Sequence, residues 1–536
     1  MKKIAIIGAG PTGIYTFYAL LGKPQPLSVS VYEQADEAGV GMPYSDEDNS
    51  RMMLANIASI EIPPVFITYI AWLRTLSDSH LARYGVEASS LHVRQFLPRI
   101  LLGEYFRHQF LEIVAQAKRQ GFDVNIHEAC QVTDLEATSQ GVYVWAQGER
   151  IPDRFDLAVI ATGHVWPDES EATRTYFPSP WSGLMDARIP PCEVGIMGTS
   201  LSGIDAVMAV VAQHGTFTEG DDEQMTFRLN QGSARLNITL MSRTGILPEA
   251  DFYCPLPYEP LSIATPEAIE NAIAMGSDGL LDRVFGLMVE EMAQSDPAWS
   301  QHLSLRTLDV ERFVDAWFAD RHQHDPFHWA CTNLHEVERN KREKHTVPWR
   351  YTVLRLHEAV EDIVPFLNEQ DAKRFSSGLA RVFIDNYAAI PSQSIRRLLA
   401  LHEAGIISIQ ALGQDYHLQE NGNQTVISAN GETRVFDVFI DARGQKPLKT
   451  RDLPFPTLRA QLQSSGDEIP DVGNDYTLLS PESARGRIAF GALPYLMHDR
   501  PFVQGITVSA DIGAAIAKAA LEPPSRTRRR LPYIDL

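Results

Sequence analysis

Residues 3–20, KIAIIGAGPTGIYTFYAL, run from an apolar stretch through three glycines into an apolar, aromatic stretch. KIAII has the length and composition of a buried strand, and residues 14–21 those of a buried helix. Between them, Gly8, Gly10 and Gly13 have the spacing of a dinucleotide-binding turn. Gly8 permits the tight turn, Gly10 lets backbone approach a pyrophosphate, and Gly13 lets helix and strand pack closely. Pro11 and Thr12 open the helix, whose unpaired N–H groups would meet the phosphates. LSVSVYE at 27–33 then alternates Leu27, Val29 and Val31 with Ser28 and Ser30, as a strand does. It ends in Glu33, about 20 residues past the turn, where an acid accepts hydrogen bonds from a ribose diol.

The device recurs at 194–206, VGIMGTSLSGIDA, with Gly198 and Gly203 in place and Ser200 where the middle glycine would be. A hydrolase nucleophile elbow needs glycine two residues after its serine, and Ser202 stands there, so that reading fails. Ser200 can instead donate its hydroxyl to phosphate. The strand that closes this second unit, LNITLMSR, ends in Ser242 and Arg243 where the first unit has Glu33. An arginine there suits the 2′-phosphate of NADPH, which an acid would repel; the alternative is an ordinary strand-to-helix turn beside a surface arginine. Two such units imply two dinucleotides, one prosthetic flavin (FAD) and one exchangeable nicotinamide (NADPH).

Bulk properties narrow the class. The 536 residues suffice for two or three domains, and a net charge of −21 argues against nucleic-acid or anionic-membrane partners. Two basic clusters, at 338–345 and 525–530, read as solvated surface. Cys130, Cys192, Cys254 and Cys331 form no CxxC pair, the pattern of a reducing cytoplasm. Lys2 and Lys3 before apolar residues resemble a signal peptide, but Gly8, Gly10 and Pro11 break the run at once. No segment is apolar for long enough to span a bilayer.

The expected fold is α/β: two Rossmann-like dinucleotide-binding domains with a helical insertion. Residues 1–165 form the first part of the FAD domain, and 190–254 the first part of the NAD(P)H domain. A helical insertion at 255–400 is the substrate side, strands at 401–445 return to the NAD(P)H domain, and 480–522 complete the FAD domain. Within these, VNIHEACQVTDLEA and GVYVWAQ read as adjacent antiparallel strands, and the polar stretch after residue 214 as a surface excursion.

GAGPTG with Glu33, Gly39-Val-Gly41, VIATG at 159–163, and GTSLSG with SRTG resemble two-dinucleotide-domain flavoproteins, including FAD- and NAD(P)H-dependent N-hydroxylating and Baeyer–Villiger-type monooxygenases. GVGMPYS, MMLANIASIEIPP and SRTGILPEADFYCP are similar to stretches of the YdhS-type FAD/NAD(P)-binding proteins over essentially the whole chain. The resemblance implies that Gly8, Gly10, Gly13 and Glu33 hold the ADP half of FAD. It makes Ala161-Thr162-Gly163 the crossover out of the FAD domain and FIDARG, 439–444, the return, with Arg443 replacing the usual threonine. AFGALP around Gly491, with the helix from about Gly505, resembles the flavin-contacting C-terminal segment.

Disulfide-reductase chemistry needs paired cysteines beside the flavin, and the chain has none. The leading reading is an N-hydroxylating monooxygenase using molecular oxygen on a small, anionic amine or amino acid. The alternatives are a reductase or dehydrogenase without oxygen insertion, and a non-catalytic redox sensor. The cofactor carries the hard chemistry, and the protein supplies positioning, water exclusion and a hydrogen bond to the reacting oxygen. Asn56 is the candidate amide. Arg342, Lys344, His345, Trp349 and Arg350 offer a clamp for an anionic substrate, or else an exposed helix end. His322, His324 and His328 read as surface histidines rather than a metal site.

Overall fold

The computed structural model describes residues 1–47, 49–220 and 224–521, so the basic cluster at 525–530 lies outside the described residues. In chain order the main elements begin with β1 (Lys3–Ile7), α1 (Pro11–Leu21), β2 (Ser28–Tyr32), α2 (Arg99–Arg119), β3 (Asp123–His127) and β4 (Leu157–Ile160). Next come β5 (Tyr176–Phe177), β6 (Glu193–Met197), α3 (Leu201–Val211) and β7 (Asn237–Ser242). Seven helices of eight or more residues follow, with two shorter ones among them: α4 (Pro266–Ala274), α5 (Leu280–Ser295), α6 (Val310–Gln323), α7 (Pro326–Glu343), α8 (Pro348–Glu361), α9 (Ala380–Tyr387) and α10 (Ser392–Glu403). The chain closes with β8 (Ile407–Ala411), β9 (Val438–Asp441), β10 (Ile488–Phe490) and α11 (Gly505–Ala519).

These elements fold as two compact units. One comprises Met1–Arg51, Ile57–Val165 and the chain from Gln445; the other comprises Met52–Asn56 and Trp166–Gly444. The first unit holds a parallel sheet in the order β10-β4-β1-β2-β3. Beyond Lys3, every residue of β1, β2, β4 and β10 is buried, as expected of parallel strands covered on both faces. Ser28 and Ser30 are therefore buried too, and Ser28 Oγ donates to Asp123 at 2.9 Å. The 2-residue alternation in β2 did not mark a solvent face. DVNIH likewise does not pair with the strands after it. As β3 it runs parallel to β2, and only VTDLEAT and GVYVWA form the antiparallel pair, in a three-stranded sheet.

The second unit repeats the plan, with a parallel sheet in the order β8-β7-β6-β9-β5. Each unit also carries a three-stranded antiparallel sheet immediately before its returning strand, 132–155 before β4 and 416–436 before β9. Helices α4 to α10 occupy, between β7 and β8, the slot that α2 and its loops fill between β2 and β3. The stretch after residue 214 is a hairpin, Gly215–Glu219 with Met225–Leu229. It is more than a surface excursion, because Met225 and Phe227 join the apolar core with sheet residues and α10.

Candidate functional site

In the first unit the turn is bare backbone. Gly8 has φ +97°, and a Cβ there would stand 2.3 Å from the Ala161 carbonyl oxygen; one on Gly13 would stand 2.2 Å from the Gly8 oxygen. Gly41, at φ +84°, lies over Gly10 and Pro11, and a Cβ on it would sit 3.0 Å from both. Gly39, at φ +89°, is wedged on Phe110 and donates its N–H to the Ala9 oxygen at 3.0 Å. The α1 N-terminus has no side-chain cap, no acid in its first turn and Pro11 at its start. It therefore presents N–H groups and positive dipole to whatever occupies the cradle.

Glu33 is already engaged. Its two oxygens accept from Ala9 N and Ala35 N, each at 2.9 Å, which fixes the carboxylate at the end of β2 above the turn. Each oxygen keeps a lone pair for a ribose hydroxyl. Thr12 faces the other way: its hydroxyl donates to Ser509 at 3.1 Å, inside the α1–α11 contact. Gly491 belongs to the same contact, since a Cβ there would meet Thr12 Cγ2 at 2.6 Å. Thr162 is exposed, and Gly163, at φ +69°, has open space around it. The bare backbone of this cradle and the remaining lone pairs of Glu33 fit the pyrophosphate and ribose of a dinucleotide such as FAD, which Gly8, Gly10, Gly13, Gly41 and Glu33 would hold.

The second turn has the same build. Gly198 has φ +136°, and its Cβ would stand 2.7 Å from the Ala442 oxygen; that of Gly203 would stand 2.3 Å from the Gly198 oxygen. Ser200 starts α3, is exposed, and makes no capping bond, leaving its hydroxyl open. Ser242 is spent on the fold: its Oγ accepts from Gly245 N at 3.0 Å and from Thr199 Oγ1 at 3.2 Å. Arg243 is exposed, and its carbonyl accepts from Gly413 N at 3.0 Å. The bare backbone at Gly198 and Gly203, the open Ser200 hydroxyl and the exposed Arg243 leave this second turn with room and donors for an anionic ligand.

The loop after Arg243 is gripped by the helical region. Arg321 on α6 donates to the Leu247 carbonyl at 2.6 Å and pairs with Asp385 at 2.6 Å. Arg350 on α8, 8% exposed, pairs with Glu249 at 3.0 Å, and Trp329 on α7 donates to the same carboxylate at 3.0 Å. Asn333 accepts from Ala250 N at 2.8 Å, and Lys341 pairs with Asp251 at 3.1 Å. Burial would push the Glu249 carboxyl up, but Arg350, Arg321 and the Trp329 N–H outweigh it and hold it below the ordinary range.

That grip corrects the expected clamp. Arg350 points inward, and Trp349 stacks on Trp299 at 4.9 Å and 7°. Arg342, Lys344 and His345 are exposed at the end of α7, with Lys344 in the left-handed cap position. The structure does not bring the five together. His322 and His324 close α6, while His328 lies in the first turn of α7.

Asn56 sits in the five-residue segment that leaves the first unit for the second. Met53 is buried in the second unit's core, and Arg397 on α10 donates to the Met52 carbonyl at 2.5 Å. The Asn56 amide oxygen is buried with no hydrogen-bond partner among the described residues. Arg321 and Arg397 gave no signal in the sequence, where they read as two of many charges on helices, and Arg350 was read as part of a surface clamp.

Together the two units make an α/β flavoprotein fold with two dinucleotide-binding sheets and a helical middle region. Residues 5–165 match the FAD-NAD(P)-binding family and 265–387 the YdhS-like middle domain. The chain belongs to the YdhS family: it is 66% identical over 533 residues to the uncharacterized protein YdhS of Escherichia coli (strain K12), covering 99% of this chain and 100% of that one. Among solved structures, the ornithine N-hydroxylase KtzI of Kutzneria sp. 744 aligns with a TM-score of 0.53 at 13% identity, over 97% of this chain and 99% of that chain. The ornithine hydroxylase PvdA of Pseudomonas aeruginosa aligns at 0.50 and 12%, over 97% and 98%. At such identities the likeness is one of fold. Among the described residues no helix is long and apolar enough to cross a membrane.

Proposed function

We propose that this chain is an FAD-dependent oxidoreductase that draws on NADPH and molecular oxygen to N-hydroxylate a small amine or amino acid. The observation that carries this reading is the pair of like-built turns with opposite charges beside them, Glu33 for an unphosphorylated ribose and exposed Arg243 for a phosphorylated one. The KtzI structure that shares the fold was solved with reduced FAD, NADP+ and L-ornithine, which supports the choice of an amine.

When bound, the flavin would supply electron transfer and oxygen activation, and the nicotinamide the reducing equivalents. The chain's own part is positioning. The uncapped starts of α1 and α3 offset pyrophosphate charge, and Glu33 orients the flavin ribose. Asn56 offers an open amide acceptor in a buried setting, where an unmade hydrogen bond is costly and a partner from substrate or cofactor is correspondingly favoured.

The test is made on purified, flavin-containing protein. NADPH should bleach the flavin without oxygen, and admitting oxygen with ornithine or lysine should yield hydroxylated amine in step with NADPH consumed. Bleaching with only hydrogen peroxide released across a panel of amines would overturn the hydroxylase reading in favour of a reductase. No bleaching with either nicotinamide would remove the second turn from the reaction.

A further inference from the structure

The helical region between β7 and β8 brings a second arginine toward the loop that carries Arg243. Asp385 on α9 is tied through Arg321 to the Leu247 carbonyl, four residues beyond Arg243. Just past the end of α9, Ile390 N donates to the Glu249 oxygen at 2.9 Å and Asp251 N to the Ile390 oxygen at 2.7 Å. Helix α9 is thus fastened along the β7 loop. Arg381 stands one turn before Asp385 and so shares its side of the helix.

Its guanidinium lies 5.2 Å from the centroid of the Phe318 ring, half-buried, and is not held by any ion pair or hydrogen bond among the described residues. The exposed Arg243 side chain likewise has no ion pair or hydrogen bond among the described residues. Burial, and then the positive field of Arg243, hold Arg381 below the ordinary guanidinium range, against the opposing pull of Asp385 and Asp315. Asp385 is itself taken up by Arg321 and by the Trp317 N–H at 2.8 Å, and Asp315 is exposed on α6. Arg381 thus stands on a helix fastened to the loop that begins at Arg243, and two cations on adjoining segments, neither paired among the described residues, are a setting that suits a dianion.

We propose that Arg381 and Arg243 together grip the 2′-phosphate of NADPH, so that the middle region supplies half of the selectivity for the phosphorylated nicotinamide. This rests on the reading of the second turn as the nicotinamide site. It assigns the helical region a cofactor-recognising role beyond any substrate role.

The experiment is calorimetric binding of 2′,5′-ADP, and of 5′-AMP as the probe without the 2′-phosphate, to the full-length flavin-loaded protein. Arg381→Met keeps the packing on Phe318 and removes the charge. It should weaken 2′,5′-ADP about tenfold or more, leave 5′-AMP within about twofold, and reduce the salt dependence of binding; Arg381→Lys should recover part of the loss. Wild-type protein that binds the two probes alike would remove the site reading itself. A wild-type preference for 2′,5′-ADP lost in Arg243→Ala but intact in Arg381→Met would overturn the proposal and leave the site standing. Equal weakening of both probes, with a lowered Tm, would reduce Arg381 to a packing residue and overturn it as well.

Discussion

The two halves of this chain solve one problem twice and anchor the solution differently. Each runs a buried strand into a glycine turn whose first and last glycines press on backbone oxygens, at Ala161 and Gly8 in one and at Ala442 and Gly198 in the other. They part company at the end of the next strand. In the first unit Glu33 secures the turn directly through the Ala9 N–H and is itself fixed by the Ala35 N–H just beyond β2. In the second, Ser242 reaches the turn only through the Thr199 hydroxyl while holding its own bend at Gly245, and the loop beyond it depends on α6, α7 and α8. The first unit thus sets a self-held acid beside its turn, and the second a cation carried on a borrowed scaffold.

The largest effect should come from cutting that scaffold. Glu249→Ala leaves Arg350 and Arg321 buried with less countercharge, and it should destabilise the protein by about 3–5 kcal/mol. A denaturant titration followed by tryptophan fluorescence reads this, and NADPH affinity should fall with it. The pH dependence has a definite sign. The folded carboxyl sits below its ordinary value near 4.5. Its stabilising contribution is complete above that value and is lost as pH falls through the lower folded value. Wild-type stability should therefore drop in acid over this range, and Glu249→Gln should flatten that limb. An unchanged acid limb in the variant would mean that other carboxylates, such as Glu291 with its backbone N–H donors at Ser262, Ile263 and Ala264, carry the acid sensitivity.

A middle-sized effect separates the charges. Arg243→Ala should lower NADPH affinity by about 2 kcal/mol, the value of a charge-assisted hydrogen bond to phosphate, and leave NADH unchanged. Equal losses for both nucleotides would sink the assignment. Glu33→Ala has a different signature, because its carboxylate is part of the turn: stability and flavin retention should fall together, seen in Tm and in the flavin content of purified protein.

The sequence disclosed what is local. A strand, a glycine spacing and a helix lie within 20 residues, and the steric reason for each glycine depends on its immediate surroundings. The partner of β3 was not legible, because DVNIH and the strand after it are both apolar-alternating and only the sheet decides which neighbour each takes. The assignment of 52–56 to the second unit was equally hidden, since it depends on Met53 reaching a core built from residues 177–442. The fate of Arg350 and Trp349 was misread for the same reason. Near Lys341 and Arg342 they look like a basic surface, yet tertiary packing turns them inward on Glu249 and Trp299. Duplication was legible as two turns and as two Rossmann-like domains, even though the helices between β7 and β8 stretch the second copy beyond any fixed period.

The smallest effect tests how far the two turns are interchangeable. Ser200→Gly makes the second turn spell the first. Ser200 makes no capping bond to α3, so the change should move stability by no more than about 0.5 kcal/mol. If its open hydroxyl serves phosphate, NADPH affinity should fall by about 1 kcal/mol, with NADH falling equally, because the pyrophosphate is common to both. That equality distinguishes Ser200 from Arg243 within one site. A loss confined to NADPH would instead place the hydroxyl on the 2′-phosphate, and the two turns would then differ in where they put the ligand as well as in the charge they offer it.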